Sequence, residues 1–239
     1  MTRFKTMKFD KAFVIGSWDF SKNRLNRFYK NIDKHSINVT LWPAIHGKTI
    51  NIHEYINRSY LPENFEINMP GSLGCLLSHV TLWEHCHNLE DCDIALVLED
   101  DVILDKKFLN ILNSISLNEL PNDWQIIKLS YNKVYGDEFS KSFIKPKLKI
   151  KKGINAGSWC YLINTKEIMN VRNMLIPYDN RKSMDVIIRE NIENINMFFL
   201  KNKIAYHMKN RYSLRRDLND INQSFYDKIR FKLKKIFLS

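Results

Sequence analysis

The run Ile94-Ala-Leu-Val-Leu98 stops abruptly at Glu99-Asp100-Asp101. Consecutive apolar residues cannot alternate between core and solvent, so this run reads as a strand buried on both faces, the pattern of a parallel sheet covered by helices. Three adjacent carboxylates repel one another and must be solvated, capped or neutralised. Side chains alternate along a strand, which predicts that Glu99 and Asp101 share a direction and Asp100 points away. Two convergent carboxylates suit Mg²⁺ or Mn²⁺, which take few protein ligands and complete their shell with water and substrate phosphates. The carboxyl edge of a parallel sheet is also where α/β proteins bind ligands. The plainer alternative is a turn cap flanked by two solvated acids.

The rest of the chain alternates in the same way. Residues 11–15 and 39–42 read as strands, the second halted by Pro43, and Leu25, Phe28, Tyr29 and Ile32 recur at helical spacing over 22–32. Residues 48–70 are irregular and Asn-rich, a surface loop with short helical pieces. A helix from Gly71 places Leu76, Leu77, Val80 and Trp83 on one face. Further strands fall at 124–129 and 158–163, and further helices at 105–115, 166–175 and 184–192, with Asp105 and Thr165 as caps. The lysine-rich stretch 133–152 is a connection or hairpin. Strands alternating with helices over about 200 residues, without a repeat, predict one α/β domain around a mostly parallel sheet.

Charge is unevenly spread. The 239 residues carry a net +11, but residues 201–239 hold eleven Lys and Arg against three Asp, so the body is close to neutral. That excludes a basic coat over the whole surface and argues against nucleic acid as the partner, although a nucleic-acid-binding role for the tail is the alternative of a different class. Phe225, Ile229, Leu233, Ile236 and Phe237 recur at helical spacing among Lys228, Lys232, Lys234 and Lys235, a basic amphipathic helix. Such a helix suits an anionic membrane surface, each basic residue contributing on the order of 1 kcal/mol. The expected division is therefore 1–210, a catalytic domain, and 211–239, a basic tail. No stretch approaches the roughly 18 apolar residues of a membrane span. Cys75, Cys86, Cys92 and Cys160 lack close CxxC spacing and read as reduced thiols. The expectation is a cytoplasmic protein, peripheral on the inner face of the membrane. A structural zinc site drawn from Cys75, His79, His85, Cys86, His87 and Cys92 lacks a tight set of four ligands and is disfavoured.

Gly71-Ser-Leu-Gly-Cys-Leu-Leu-Ser-His79, then Trp83, then Leu98-Glu-Asp-Asp-Val102, resembles the family 25 glycosyltransferases of bacterial lipooligosaccharide and lipopolysaccharide synthesis, which are related to collagen galactosyltransferases. Ala12-Phe-Val-Ile15 with Arg24, Trp42-Pro-Ala44 with Gly47, Asp123-Trp124, Gly157-Ser-Trp-Cys-Tyr-Leu-Ile163 and Met184-Asp185 follow in the family's order. The family usually has Asn-Leu where this chain has Gly16-Ser17, and Asp where it has His46.

The resemblance implies a GT-A-like fold built on a Rossmann-type sheet, and an inverting transfer of a hexose, galactose from UDP-galactose or else glucose, to a lipid-linked saccharide acceptor. It implies Mn²⁺ or Mg²⁺ on Glu99, Asp100 and Asp101, with His207 as a late ligand, to stabilise charge on the departing diphosphate. It implies Asp185 as general base, with a helix cap as the alternative for that residue. His79 is expected to contact substrate or phosphate, and Ser78, Arg24 and Gly157 to contact the donor; a buried structural role is the other reading of His79.

Overall fold

The computed structural model describes residues 6–208. The basic tail expected over 211–239, with Arg215 and Arg216, lies outside the described residues. An eight-stranded sheet has the order β2 (Thr40–Pro43), β1 (Lys11–Gly16), β3 (Ile94–Glu99), β8 (Cys160–Asn164), β5 (Ile126–Lys128), β9 (Met197–Leu200), β7 (Phe143–Pro146), β6 (Gly136–Glu138). The β1 pairings with β2 and β3 and the β5 pairing with β9 are parallel, and the others are antiparallel. Following these directions across the sheet, only β8 and β7 run against the rest. The lysine-rich connection is thus the β6–β7 hairpin, which extends the sheet edge.

Alternation along the strands splits the core into two layers. Phe13, Ile15, Ala95, Val97, Tyr161, Ile163 and Ile126 pack beneath α3 (Pro70–His87), α5 (Ile168–Leu175) and α6 (Met184–Glu190). Val14, Leu96, Leu98, Cys160, Leu162 and Ile127 pack beneath α1 (Trp18–Ile32) and α4 (Phe108–Ser114). This double burial is why the strands read as unbroken apolar runs. It also fixes where the ends of β3 point: Glu99 continues the row of Ala95 and Val97 toward α3, and Asp100 the row of Leu96 and Leu98 toward α1.

Several boundaries depart from expectation for local reasons. Helix α1 starts at Trp18 because the Ser17 hydroxyl accepts from the Asp19 and Phe20 amides, and a break at Ser21 separates this first turn from the remainder. Thr165 caps nothing; its hydroxyl donates to the Cys92 carbonyl, tying α5's approach to the start of β3. The loop 48–70 holds one short helix, α2 (Ile52–Asn57). Glycine is needed where α3 crosses the loop after β2. A Cβ on Gly74 would sit 2.3 Å from the Ile45 carbonyl oxygen, and one on Gly47 would sit 2.0 Å from that of Pro70. A second, two-stranded ribbon pairs β4 (Val102–Leu104) with β10 (Ala205–His207).

Candidate active site

The strand ends at Glu99, and Asp100 and Asp101 lie in the turn leading to β4. Pleat alternation therefore stops one residue too early for the expected pairing of Glu99 with Asp101. Instead Asp100 and Asp101 converge on Arg24 of α1, while Glu99 faces α3. Arg24 Nη2 contacts the Asp100 oxygens at 2.7 and 3.1 Å, and Nη1 lies 3.6 Å from Asp101 Oδ2. Burial pushes the Asp100 carboxyl up to about 6 against the pull of the Arg24 guanidinium.

His207 arrives from the other end of the domain. The register of β10 on β4 sets it opposite Val102, the Met208 amide donates to the Asp101 carbonyl, and His207 Nε2 lies 3.2 Å from Asp101 Oδ2. That hydrogen bond, chiefly, raises the His207 pKa. The Trp159 ring lies against the imidazole, centroids 4.6 Å apart. The expected late histidine thus joins the acidic turn through a long-range ribbon.

Asp101 Oδ1 is buried and has no hydrogen-bond partner among the protein atoms. A buried carboxylate oxygen left in that condition is costly, and a bound cation would satisfy it. Two carboxylates and an imidazole form an oxygen-rich donor set, so the residues fit a hard divalent ion such as Mn²⁺ or Mg²⁺.

The α3 flank of the turn is built differently. His79, 1% exposed, holds Tyr161 Oη at 2.6 Å from Nδ1 and Glu99 Oε1 at 3.4 Å from Nε2. Trp83 Nε1 donates to the same Tyr161 hydroxyl at 2.9 Å. Burial acts to lower the His79 pKa, but Cys75 and Glu99 outweigh it and hold the imidazole at about 9. Both ring nitrogens face protein groups, a positioning geometry. Ser78, also 1% exposed, accepts from the Ile45 amide at 2.8 Å and donates to the Gly74 carbonyl at 2.6 Å, so it braces the loop after β2. In that loop His46 stacks on Phe20 of α1 at 4.5 Å.

Asp185 sits inside the first turn of α6, two residues past the Ser183 cap position, so it is not the cap. Its Oδ1 accepts from the Ser158 hydroxyl at 2.6 Å. Gly157, at φ +113°, turns the chain in a conformation that other residues rarely adopt. Its carbonyl accepts from Lys128 Nζ at 2.9 Å. Lys128 is the buried charge beside this site that sequence reasoning missed. It is 3% exposed, lies over the Tyr161 ring, and has Asp185 and Glu99 as its leading charged neighbours. Burial lowers its pKa. A lysine inside the apolar run Ile126-Ile-Lys-Leu129 was the available signal, because a strand buried on both faces has no solvent for an ammonium.

Residues 9–175 match the model of glycosyltransferase family 25 (LPS biosynthesis protein). Human procollagen galactosyltransferase 2 is 28% identical over 147 residues, 57% of this chain and 23% of that protein. The mouse protein of the same name is 27% identical over the same shares. The match therefore spans about a quarter of the length of these relatives. Among solved structures, a glycosyltransferase involved in glycosylation of the major capsid of PBCV-1 aligns at TM-score 0.46 and 12% identity, over 85% of this chain and 94% of that one. With the family model covering most of the described domain, the chain belongs to glycosyltransferase family 25.

Proposed function

We propose that this glycosyltransferase is an inverting, metal-dependent enzyme that moves galactose from UDP-galactose to a lipooligosaccharide or lipopolysaccharide acceptor. The family's role in LPS biosynthesis supports the acceptor class, and the galactosyltransferase activity named for the procollagen relatives supports galactose over glucose. The observation that carries the metal reading is the buried, unsatisfied Asp101 Oδ1 beside Asp100 and His207.

Asp100, Asp101 and His207 would hold Mn²⁺ or Mg²⁺. When bound, that ion supplies Lewis-acid stabilisation of the charge that develops on the departing diphosphate. Arg24 is the chain's own cation at the acidic pair and adds positive potential for the same phosphates. Ser78 holds the loop after β2, and Gly157 the turn before Ser158, as walls of the donor pocket. Asp185 receives the proton of the acceptor hydroxyl as the new oxygen–carbon bond forms at the anomeric centre and the bond to the diphosphate breaks. The Ser158 hydroxyl fixes the Asp185 carboxylate for that transfer. Glu99 and His79 steady the end of β3 from the α3 side.

Among the described residues no helix is long and apolar enough to cross a membrane. The basic tail is proposed to bring the enzyme to anionic headgroups at the cytoplasmic face, where a lipid-linked acceptor would lie. Nucleic acid is not proposed as a partner. The test is UDP release and sugar transfer from UDP-galactose and UDP-glucose, with and without Mn²⁺, by wild type and Asp101→Asn. Absence of nucleotide-sugar binding, or an unchanged Asp101→Asn variant, would falsify the metal-dependent reading. Sedimentation with anionic vesicles, before and after removal of 211–239, tests the tail.

A further inference from the structure

The end of β3 has a second set of ligand atoms that the acidic pair does not use. Cys75 and His79 stand four residues apart on α3, on one face of the helix. Glu99 comes to them from the sheet. One ligand atom from each of Cys75, His79 and Glu99 lies within 4.8 Å of the other two, and among the described residues this is the one such group of three. Asp100, Asp101 and His207 are not in it.

We infer that Cys75, His79 and Glu99 form a binding site for a borderline-soft transition-metal ion of the Zn²⁺ class, distinct from the oxygen-rich site at Asp100 and Asp101. The donor set decides the class of ion. Thiolate and imidazole favour Zn²⁺ over Mg²⁺ or Mn²⁺, and three protein ligands are the number found in zinc sites that keep one position open.

A second observation supports the assignment. Metal-bound histidine ordinarily uses one nitrogen for the ion and fixes the other through an outer hydrogen bond. Here Nε2 faces Glu99, and Nδ1 lies 2.6 Å from Tyr161 Oη, a hydroxyl that also accepts from Trp83 Nε1. With the metal on Nε2, the Nδ1 proton donates to Tyr161. The imidazole is thereby buried, oriented and held in the tautomer a metal requires. Cys75 and Glu99 are each partly exposed, which gives the ion a way in and leaves its fourth position toward solvent. On binding, the Cys75 thiol and His79 Nε2 each release a proton to the buffer as the sulfur–metal and nitrogen–metal bonds form. Sequence spacing alone disfavours a zinc site because it finds only the two ligands of α3; the third comes from a strand that pairs with the helix in space.

The experiment is a titration of the full chain with Co²⁺, followed by thiolate-to-cobalt charge-transfer absorption and by displacement with Zn²⁺. Wild type should develop the band at one equivalent, and Zn²⁺ should bleach it. Asp101→Asn should keep the band. Cys75→Ser should lose it while its melting curve stays cooperative, and Tyr161→Phe should weaken Zn²⁺ binding by about 10- to 100-fold, the usual effect of an outer partner. Zn²⁺ should also raise the melting temperature of wild type and Asp101→Asn but not of Cys75→Ser. No sulfur band in wild type overturns the assignment, as does a band that survives in Cys75→Ser. So does cobalt binding that disappears in Asp101→Asn, which would put the ion on the acidic pair. These readouts do not depend on sugar transfer, so their failure is separate from failure of the glycosyltransferase mechanism.

Discussion

The two flanks of the acidic turn balance their charge by different chemistry. On the α1 side, Asp100 and Asp101 meet a permanent cation, Arg24, and an imidazole, His207, with one carboxylate oxygen left unsatisfied. On the α3 side, Glu99 meets His79, which is anchored to Tyr161 and Trp83 in a hydrogen-bonded chain above the buried Lys128. The first flank is arranged around charge and suits a hard ion carrying phosphate. The second is arranged around direction: each group fixes the orientation of the next. A single three-residue motif therefore serves two environments because the strand ends in its middle.

The largest effect expected on this contrast is on catalysis. Asp101→Asn should lower sugar transfer by about 10³-fold, equivalent to several kcal/mol of lost stabilisation of the leaving group, with an unchanged fold. UDP release measured beside a melting curve checks it, and an equal loss from Glu99→Gln alone would erase the distinction between the flanks.

Next comes the stability of the α1 flank. Arg24→Ala leaves two buried carboxylates without their cation and should cost about 3 kcal/mol in metal-free protein. The sign with pH follows from Asp100, whose carboxyl burial raises to about 6. Without Arg24 it rises further, and the protonated form needs no cation. The loss should accordingly be large at about pH 8 and shrink toward about pH 5, as read by denaturant unfolding at both.

On the α3 flank, Tyr161→Phe removes the shared partner of His79 Nδ1 and Trp83 Nε1, leaving buried polar groups unsatisfied. About 2 kcal/mol should be lost, lowering the melting temperature by about 4–8 °C, with none of the pH dependence of the Arg24 variant. The smallest effect concerns Asp185. Ser158→Ala removes one hydrogen bond to its carboxylate, worth about 1 kcal/mol, and should lower kcat about fivefold while leaving the donor KM unchanged. A change in KM alone would move Asp185 from proton transfer to substrate binding.

Much of the arrangement was legible from local pattern. The apolar runs of β1, β3 and β8 located strands buried on both faces, and the helical spacing of Leu76, Leu77, Val80 and Trp83 located α3. Arg24, Asp100, Asp101 and His207 were all named from sequence, and they meet. What local pattern left out has a common origin. Thr165 has the composition of a cap but donates to Cys92, and the partners of Ser78 and His79 lie on the loop after β2 and on β8. A side chain's type is local, whereas its partner is set by the neighbour that the fold supplies.

The amino-acid sequence by itself determined the α/β alternation, the apolar strand that ends in three acids, and the family to which the chain belongs. These depend on periodicity and residue type, which are written along the chain. Only the tertiary structure decided that Glu99 parts from Asp100 and Asp101, that His207 reaches Asp101 across 106 positions, and that Lys128 lies over the Tyr161 ring. Strand termination, long-range register and the burial of a charge are set by packing between distant segments, and no local window of sequence contains them.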